Sequence, residues 1–224
     1  MIWFKELYEL WRQDNSLTQA VNDSHKMLEQ TLVMFKSSVQ SLRHTDSGEL
    51  ELNVYDADSM VNEYIQKVRH KVLKHMAITG GLNIIPGLIL TTIVIDIERI
   101  GDYTKNIMDL ALAHPKKLNA GSHEADLQRI ENTVTQVFEK LVQVLDLTNK
   151  QQMGEMIKEN YWVLKKCDSI LIDYIKRENS DGEVRDAASC ALYARYLKRV
   201  MGHLMNIASS VVNPFERIGF RAEE

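Results

Sequence analysis

The chain has 224 residues, 45% of them hydrophobic, with only 10 glycines and 3 prolines. This length can bury a full core in one or two domains, and the scarcity of Gly and Pro favours helix. The formal net charge of −4 gives no electrostatic reason to expect a nucleic-acid partner. Cys167 and Cys190 lie in helical pattern without a second pair, so we interpret them as core residues of a protein in a reducing compartment.

A short apolar stripe begins the chain and predicts an amphipathic helix near residues 2–13. Packing against the bundle or a dimer partner is the favoured interpretation, because acidic side chains balance the basic ones; docking on a membrane surface is the alternative. No basic leader followed by a long apolar region is visible, so we expect a cytoplasmic protein. The stripe consists of Trp3, Phe4, Leu7, Leu10 and Trp11.

Apolar periodicity predicts six further helices. Capping-box patterns at Ser16, Thr148 and Ser180 mark three of their starts. The most apolar run, Leu82 to Ile95, has 14 residues, whereas a helix that spans a bilayer needs roughly 20. We therefore expect a buried helix there and no transmembrane segment. The predicted helices lie near residues 16–44, 53–78, 84–113, 122–147, 151–178 and 183–212.

An internal repeat is visible in the sequence. Three stretches match in the same order: residues 28–32 with 130–134, 58–65 with 168–175, and 99–107 with 199–207. Matches in register indicate a duplication of one three-helix unit. The sequence therefore predicts an all-α protein of two tandem three-helix bundles plus a short N-terminal helix. The predicted segments are 1–15 for that helix, 16–118 for the first repeat and 119–224 for the second.

Two pairs of oxygen-bearing side chains stand out in the first repeat. Glu98 and Asp102 are four residues apart on one helical face, as are Asp58 and Asn62 on the preceding helix. Stacked carboxylates repel by about 0.2–0.5 kcal/mol unless a cation lies between them. If the helices run antiparallel, the four side chains converge, and such hard ligands suit Mg, Mn, Ca or Fe, and Zn less well. Asp96 is expected to point away from this set. The alternative is a solvated acidic face without a ligand.

The sequence Glu98-Arg-Ile-Gly-Asp102, followed shortly by Asn106-Ile107, resembles the signature helix of the PhoU family of phosphate-uptake regulators. The resemblance extends over nearly the whole chain after the N-terminal segment. It implies two three-helix repeats whose acid-xxx-acid motifs bind multinuclear metal clusters. On this basis a divalent or trivalent ion, Fe, Mn, Mg or Zn, is expected on the first repeat, with Asp58, Asn62, Glu98 and Asp102 as its ligands.

The second half departs from this pattern. Lys198, Gly202 and Ile172 stand at the positions equivalent to three of the predicted ligands, and only Asp168 keeps a carboxylate. We therefore expect one metal site at most. An ammonium can occupy the place of a cation, so we hypothesise that a Lys198–Asp168 ion pair has replaced the second cluster. The alternative is two unrelated surface charges.

For function, the resemblance implies a regulatory adaptor that restrains phosphate uptake and phosphate-responsive signalling. Its expected partners are phosphate ABC-transporter components and a sensor histidine kinase, which would bring it to the membrane, and the expected assembly is a homodimer. We expect no enzyme, because the chain has no Gly-rich phosphate loop, no catalytic triad spacing and no nucleotide fingerprint.

Two alternatives for function stay open. The altered second half is compatible with a PhoU-like module that regulates a different membrane transporter. A di-iron carboxylate enzyme would require paired Glu-x-x-His motifs on two helices, and the sequence has no such pair.

Overall fold

The structure, a computed structural model, describes residues 15–46, 53–80, 84–114, 116–143, 149–176 and 184–220. These ranges contain seven α-helices and two 3₁₀ helices, and no strand. The predicted N-terminal helix lies outside them. The α-helices are α1 (Asn15–His44), α2 (Val54–Thr79), α3 (Ile84–Ala113), α4 (Glu124–Gln143), α5 (Lys150–Asn160), α6 (Trp162–Lys176) and α7 (Val184–Val212); the 3₁₀ helices are Gly121–His123 and Phe215–Arg217.

The six helices predicted after residue 15 are confirmed within the described residues, with small corrections at their ends. α5 and α6 occupy the range predicted as one helix and are divided at Tyr161, whose φ of −61° and ψ of −23° are still helical. Thr148 lies outside the described residues, and the cap seen at the start of α5 is Asn149, whose side chain accepts the backbone N–H of Gln152. α1 already includes Ser16, so that residue is not its cap. The predicted cap at Ser180 lies outside the described residues.

Helices α1, α2 and α3 pack against one another and enclose the first part of the core. α2 and α3 are antiparallel and approach closely at Gly87, where an added Cβ would lie 2.7 Å from the Met76 side chain and 2.8 Å from that of Val72. Only glycine fits this approach without movement of a neighbour. The apolar face of α3 is turned to this core, where four of its isoleucines are buried at helical spacing: Ile93, Ile97, Ile100 and Ile107.

The second set of helices packs around α7, which contacts α4, α5 and α6 and also lies along α3. Tyr193 and Phe138 are among the largest fully buried side chains of this second set of helices. Cys167 and Cys190 are buried free thiols in this core, which confirms their interpretation as core residues. The helices are thus arranged as predicted for two tandem three-helix bundles. The boundary predicted between residues 118 and 119 stays a prediction.

A buried arginine joins α1 to the second set of helices. The Arg43 side chain is 5% exposed, and its Nε donates to Glu131 Oε1 at 2.6 Å. Its terminal nitrogens donate to Glu124 and to the backbone carbonyl of Leu118. Burial alone would lower the pKa of Arg43, but the two carboxylates outweigh it and raise that pKa. Arg43 therefore ties the end of α1 to the start of α4.

Among the described helices, none is long and apolar enough to cross a membrane. Residues 84–95 of the most apolar run form the first turns of α3, where Ile89, Leu90 and Val94 are buried. This agrees with the buried helix predicted there.

Candidate metal centre

The candidate centre lies where α2 meets the middle of α3. A Cβ added at Gly101 would lie 3.7 Å from Asp58 Oδ1 and 3.9 Å from the Val61 side chain, at ordinary van der Waals distances, so α2 packs directly against α3 here. Asp58 is buried at this contact. The antiparallel arrangement expected from the sequence is therefore present, and it brings a carboxylate of α2 onto the α3 face that carries Asp102.

A lysine that the sequence analysis did not single out lies between these carboxylates. Lys105 Nζ is 2.8 Å from Asp58 Oδ2 and 3.1 Å from Asp102 Oδ1. Burial alone would lower the pKa of Lys105, but the hydrogen bonds and negative charges of Asp58 and Asp102 outweigh it, and the pKa is raised. The one signal in the sequence was the spacing of three residues between Asp102 and Lys105, which places both on one helical face.

Glu98 and Asn62, the other predicted ligands, have different neighbours. Glu98 Oε2 lies 3.6 Å from Arg99 Nε, and the same guanidinium donates to Asp102 Oδ2 at 3.2 Å. Arg99 is more than half exposed, so both contacts are weak. The Asn62 amide donates to Asp58 Oδ2 at 3.2 Å. Glu98 and Asn62 line one shallow groove and Asp102 and Lys105 line another, with Arg99 bordering both.

The donor chemistry of the site suits a cation, and part of it is already assembled. Asp58 and Asp102 direct their oxygens at one point, which the Lys105 ammonium occupies. In the part of the chain that the structure describes, no three His, Cys, Asp or Glu side chains are grouped so that they could hold a metal ion. The pair Asp58 and Asp102 therefore fits a shared cation, whereas the full set with Glu98 and Asn62 stays a prediction.

The equivalent surface of the second half holds the predicted ion pair. Lys198 Nζ lies 2.6 Å from both carboxylate oxygens of Asp168, so this contact is confirmed. Its role as the replacement of a metal cluster stays a hypothesis. Burial, followed by the charge of Asp168, raises the pKa of the adjacent Cys167 to about 12, while Lys198 opposes the shift.

Asp96 points away from the candidate centre, as expected, and faces α7. Its Oδ1 lies 2.7 Å from His203 Nδ1 and accepts the Asn206 amide at 2.9 Å. Tyr103 stacks on His203 with ring centroids 5.8 Å apart and also contacts the Tyr196 ring at 6.2 Å. In the internal repeat, Asp96 is equivalent to Tyr196, and Tyr103 is equivalent to His203. Equivalent positions of the two repeats therefore contact each other between α3 and α7. No spacing in the sequence indicated this partly buried contact between His203 and Asp96.

Comparison with known proteins identifies the first set of helices. A family model described as PhoU domain matches residues 25–111, which run from α1 through α3 and include all four predicted ligands and Lys105. No curated protein matches the chain. The match confirms, over residues 25–111, the resemblance to the PhoU family that was predicted from the signature helix. That family is regulatory and non-enzymatic, and its domain indicates, in general terms, a role in the control of phosphate uptake.

Proposed function

We propose that this chain is a cytoplasmic regulatory adaptor that restrains phosphate uptake and phosphate-responsive signalling without catalysing a reaction. It acts by contact with components of a phosphate transporter and with the linked sensor kinase, which bring it to the membrane, and it assembles as a homodimer. The observation that carries the proposal is the PhoU domain over residues 25–111. The charged side chains of Glu98, Arg99 and Asp102 lie on the surface of that domain, where a partner protein can reach them.

The state of the two thiols supports a role without covalent catalysis. Cys167 and Cys190 are buried, and burial is the largest cause of the raised pKa of each. A thiol attacks substrates as the thiolate, which both sites disfavour. Neither cysteine is therefore suited to act as a nucleophile.

The proposal includes a divalent or trivalent metal ion held by Asp58, Glu98 and Asp102, with the Asn62 carbonyl as a weaker ligand. Asp58 and Asp102 already share one cation in the Lys105 ammonium, which supports them as the first two ligands. When bound, the ion would supply positive charge that holds α2 to α3 at the protein surface. Glu98 would exchange its weak contact with Arg99 for the ion.

A second candidate function is the regulation of a different membrane transporter by the same kind of module. The observation that favours it is the second half, where the positions equivalent to the predicted ligands carry the Lys198–Asp168 ion pair, Gly202 and Ile172. A changed surface on one half is compatible with a changed partner, because function is carried by sites rather than by the fold.

Deletion of the gene in the native cell tests the proposal. We expect faster uptake of labelled phosphate in phosphate-rich medium and raised expression of a phosphate-responsive reporter, with both restored by the intact gene. Unaltered uptake and expression in the deletion strain would contradict the proposal. Co-purification of the protein from native membranes then separates the two candidates: a phosphate-transporter ATPase or a sensor kinase supports the first, and another transport system supports the second.

A further inference from the structure

We propose that the last turns of α2 dock the protein directly on a membrane surface that carries anionic lipid. The surface concerned, called here the basic face of α2, consists of four exposed side chains: Arg69, Leu73, Lys74 and Ile78. The inference goes beyond the proposed function, in which partner proteins bring the chain to the membrane.

The charge of this part of the chain is opposite to that of the whole. Residues 64–95 contain four Lys or Arg and no Asp or Glu, whereas the full chain has a formal net charge of −4. These residues form the second half of α2 and the first turns of α3. One end of this helix pair is therefore basic on a protein that is acidic elsewhere, and a basic surface attracts anionic lipid.

Two of the four cations are available to a partner. Lys67 and Lys71 each contact a carboxylate, at 3.3 and 2.5 Å. Arg69 and Lys74 are exposed and form no ion pair within the described residues. Arg69 lines a shallow groove together with one glutamate and a second arginine, so the groove has no surplus negative charge. The uncompensated positive charge lies on the outer side of α2.

Large aliphatic side chains are exposed on the same side of the helix. Leu73 is 67% exposed and lies one turn from Arg69; Ile78 is 70% exposed and lies one turn from Lys74. Ile84, also exposed, begins α3 at the end of the bundle where α2 stops, because the two helices are antiparallel. Cations and aliphatic groups therefore alternate along one surface that ends at the α2–α3 connection.

An anionic membrane surface has both of the properties that this face requires. Its headgroups supply negative charge, and the boundary below them accepts aliphatic side chains. The stems of Arg69 and Lys74 can lie along that boundary while their charges stay at the headgroups. A partner that was only acidic would leave Leu73 and Ile78 in water, and one that was only apolar would bury two cations without counter-charge.

The second half provides a matched control. Ile172 and Ile175 are also exposed, on α6, the helix that the internal repeat makes equivalent to the end of α2. That helix contains aspartates at positions 168 and 173, so its exposed isoleucines lie among both signs of charge. If exposed aliphatic side chains alone were enough, both helices would bind lipid; if positive charge is also required, only α2 binds.

The first experiment measures co-sedimentation of the full chain with vesicles of phosphatidylcholine and phosphatidylglycerol in about equal parts. We expect binding that weakens as NaCl is raised, and none to vesicles of phosphatidylcholine alone. Arg69→Gln combined with Lys74→Gln should bind roughly 25-fold more weakly at low salt, since each cation contributes about fivefold. Lys158→Gln combined with Lys165→Gln removes the same charge from the second half and should bind as the unaltered chain does.

The second experiment tests the aliphatic part of the surface. Leu73→Gln combined with Ile78→Gln should bind the same vesicles at least about tenfold more weakly, because the inserted apolar area is lost. Glutamine keeps a high helix propensity. Ile172→Gln combined with Ile175→Gln is the matched control and should leave binding unaltered. Circular dichroism confirms that each variant is folded before it is mixed with lipid.

Four results would overturn the inference. The chain might fail to sediment with anionic vesicles, or it might bind vesicles of phosphatidylcholine equally well. Loss of binding in Phe4→Gln combined with Trp11→Gln, but not in the α2 variants, would assign the contact to the predicted N-terminal stripe. A changed oligomeric state in the Leu73 and Ile78 variant with unaltered lipid binding would make this face a contact between copies of the chain. The uptake experiment judges the adaptor role independently of all four.

Discussion

Each half of the chain pairs an aspartate with a lysine, but the two lysines occupy different positions in the repeat. The first pair lies on the α2–α3 surface and the second on the α6–α7 surface. In the first, Lys105 lies one turn beyond Asp102 on the same helix and bridges to Asp58 on the neighbouring helix. In the second, Lys198 stands where the repeat places Glu98 and holds Asp168 alone. The same repeat position can thus supply either an acid or its counter-ion.

The difference leaves the two surfaces with different capacities for a cation. The first half has three carboxylates, Asp58, Glu98 and Asp102, against Lys105 and a largely exposed Arg99. The second half has one carboxylate against one ammonium. Burial differs as well, because the Asp58 side chain is 12% exposed and that of Asp168 is 44% exposed. Only the first surface retains surplus negative charge beside a buried acid.

The largest expected effect concerns the contacts of Arg43, which join the two halves. Arg43→Met should lower the free energy of unfolding by about 3–5 kcal/mol, because it leaves Glu131 buried without its partner. Urea unfolding followed by circular dichroism measures the change. Lys36→Met is the matched control on the same pair of helices, since Lys36 and Glu139 are both exposed and their pair should cost less than about 1 kcal/mol. An equal loss of unfolding free energy in the two variants would show that Arg43 does not hold α1 to α4.

The next prediction compares the stabilising effects of Lys105 and Lys198 directly. In a buffer that contains a chelator, Lys105→Met should cost about 1–3 kcal/mol of unfolding free energy, because Asp58 loses its charge partner in a buried place. Lys198→Met should cost about 0–1 kcal/mol, because Asp168 can return to water. Adding Asp58→Asn to Lys105→Met should recover part of the loss. Equal costs for both lysines would mean that burial does not distinguish the two surfaces.

Much of this contrast was predictable from the sequence, because it depends on periodicity within helices and on the repeat. The buried face of α3, the direction of Asp96 and the Lys198–Asp168 pair all follow from side-chain spacing and from aligned positions. The Lys198–Asp168 pair could be predicted because both residues occupy positions equivalent to predicted ligands of the first half.

The missed contacts depend on how helices pack, which periodicity does not provide. Lys105 contacts Asp58 because α2 packs against α3 at this level of the bundle. The partner of His203 depends on the way α3 crosses α7, and the partners of Arg43 lie 75 to 88 residues further along the chain. A lysine three residues from an acid is usually a solvated surface charge, so sequence alone gave no reason to prefer the bridge.

A further prediction uses the reactivity of Cys167 as a local probe of the Lys198–Asp168 pair. Its pKa is raised to about 12, with burial as the main cause. At pH 8 about one thiol in ten thousand would be ionised, against about one in four for an ordinary cysteine. Native Cys167 should therefore react with iodoacetamide far more slowly than the same residue in urea, as measured by mass spectrometry of the labelled peptide. Labelling of the native protein at the unfolded rate would contradict the buried placement.

The labelling rate of Cys167 should depend on the charged residues of the second half and not on those of the first. Asp168 raises the pKa of Cys167 and Lys198 lowers it, so Asp168→Asn should speed native labelling and Lys198→Met should slow it. Each change should be modest, because burial contributes more than either charge. Lys105→Met is the control and should leave the rate unaltered, since Lys105 lies on the other half and binds Asp58 and Asp102. A rate that responds to Lys105 but not to Lys198 would show that the thiol reports on opening of the whole protein rather than on the Lys198–Asp168 pair.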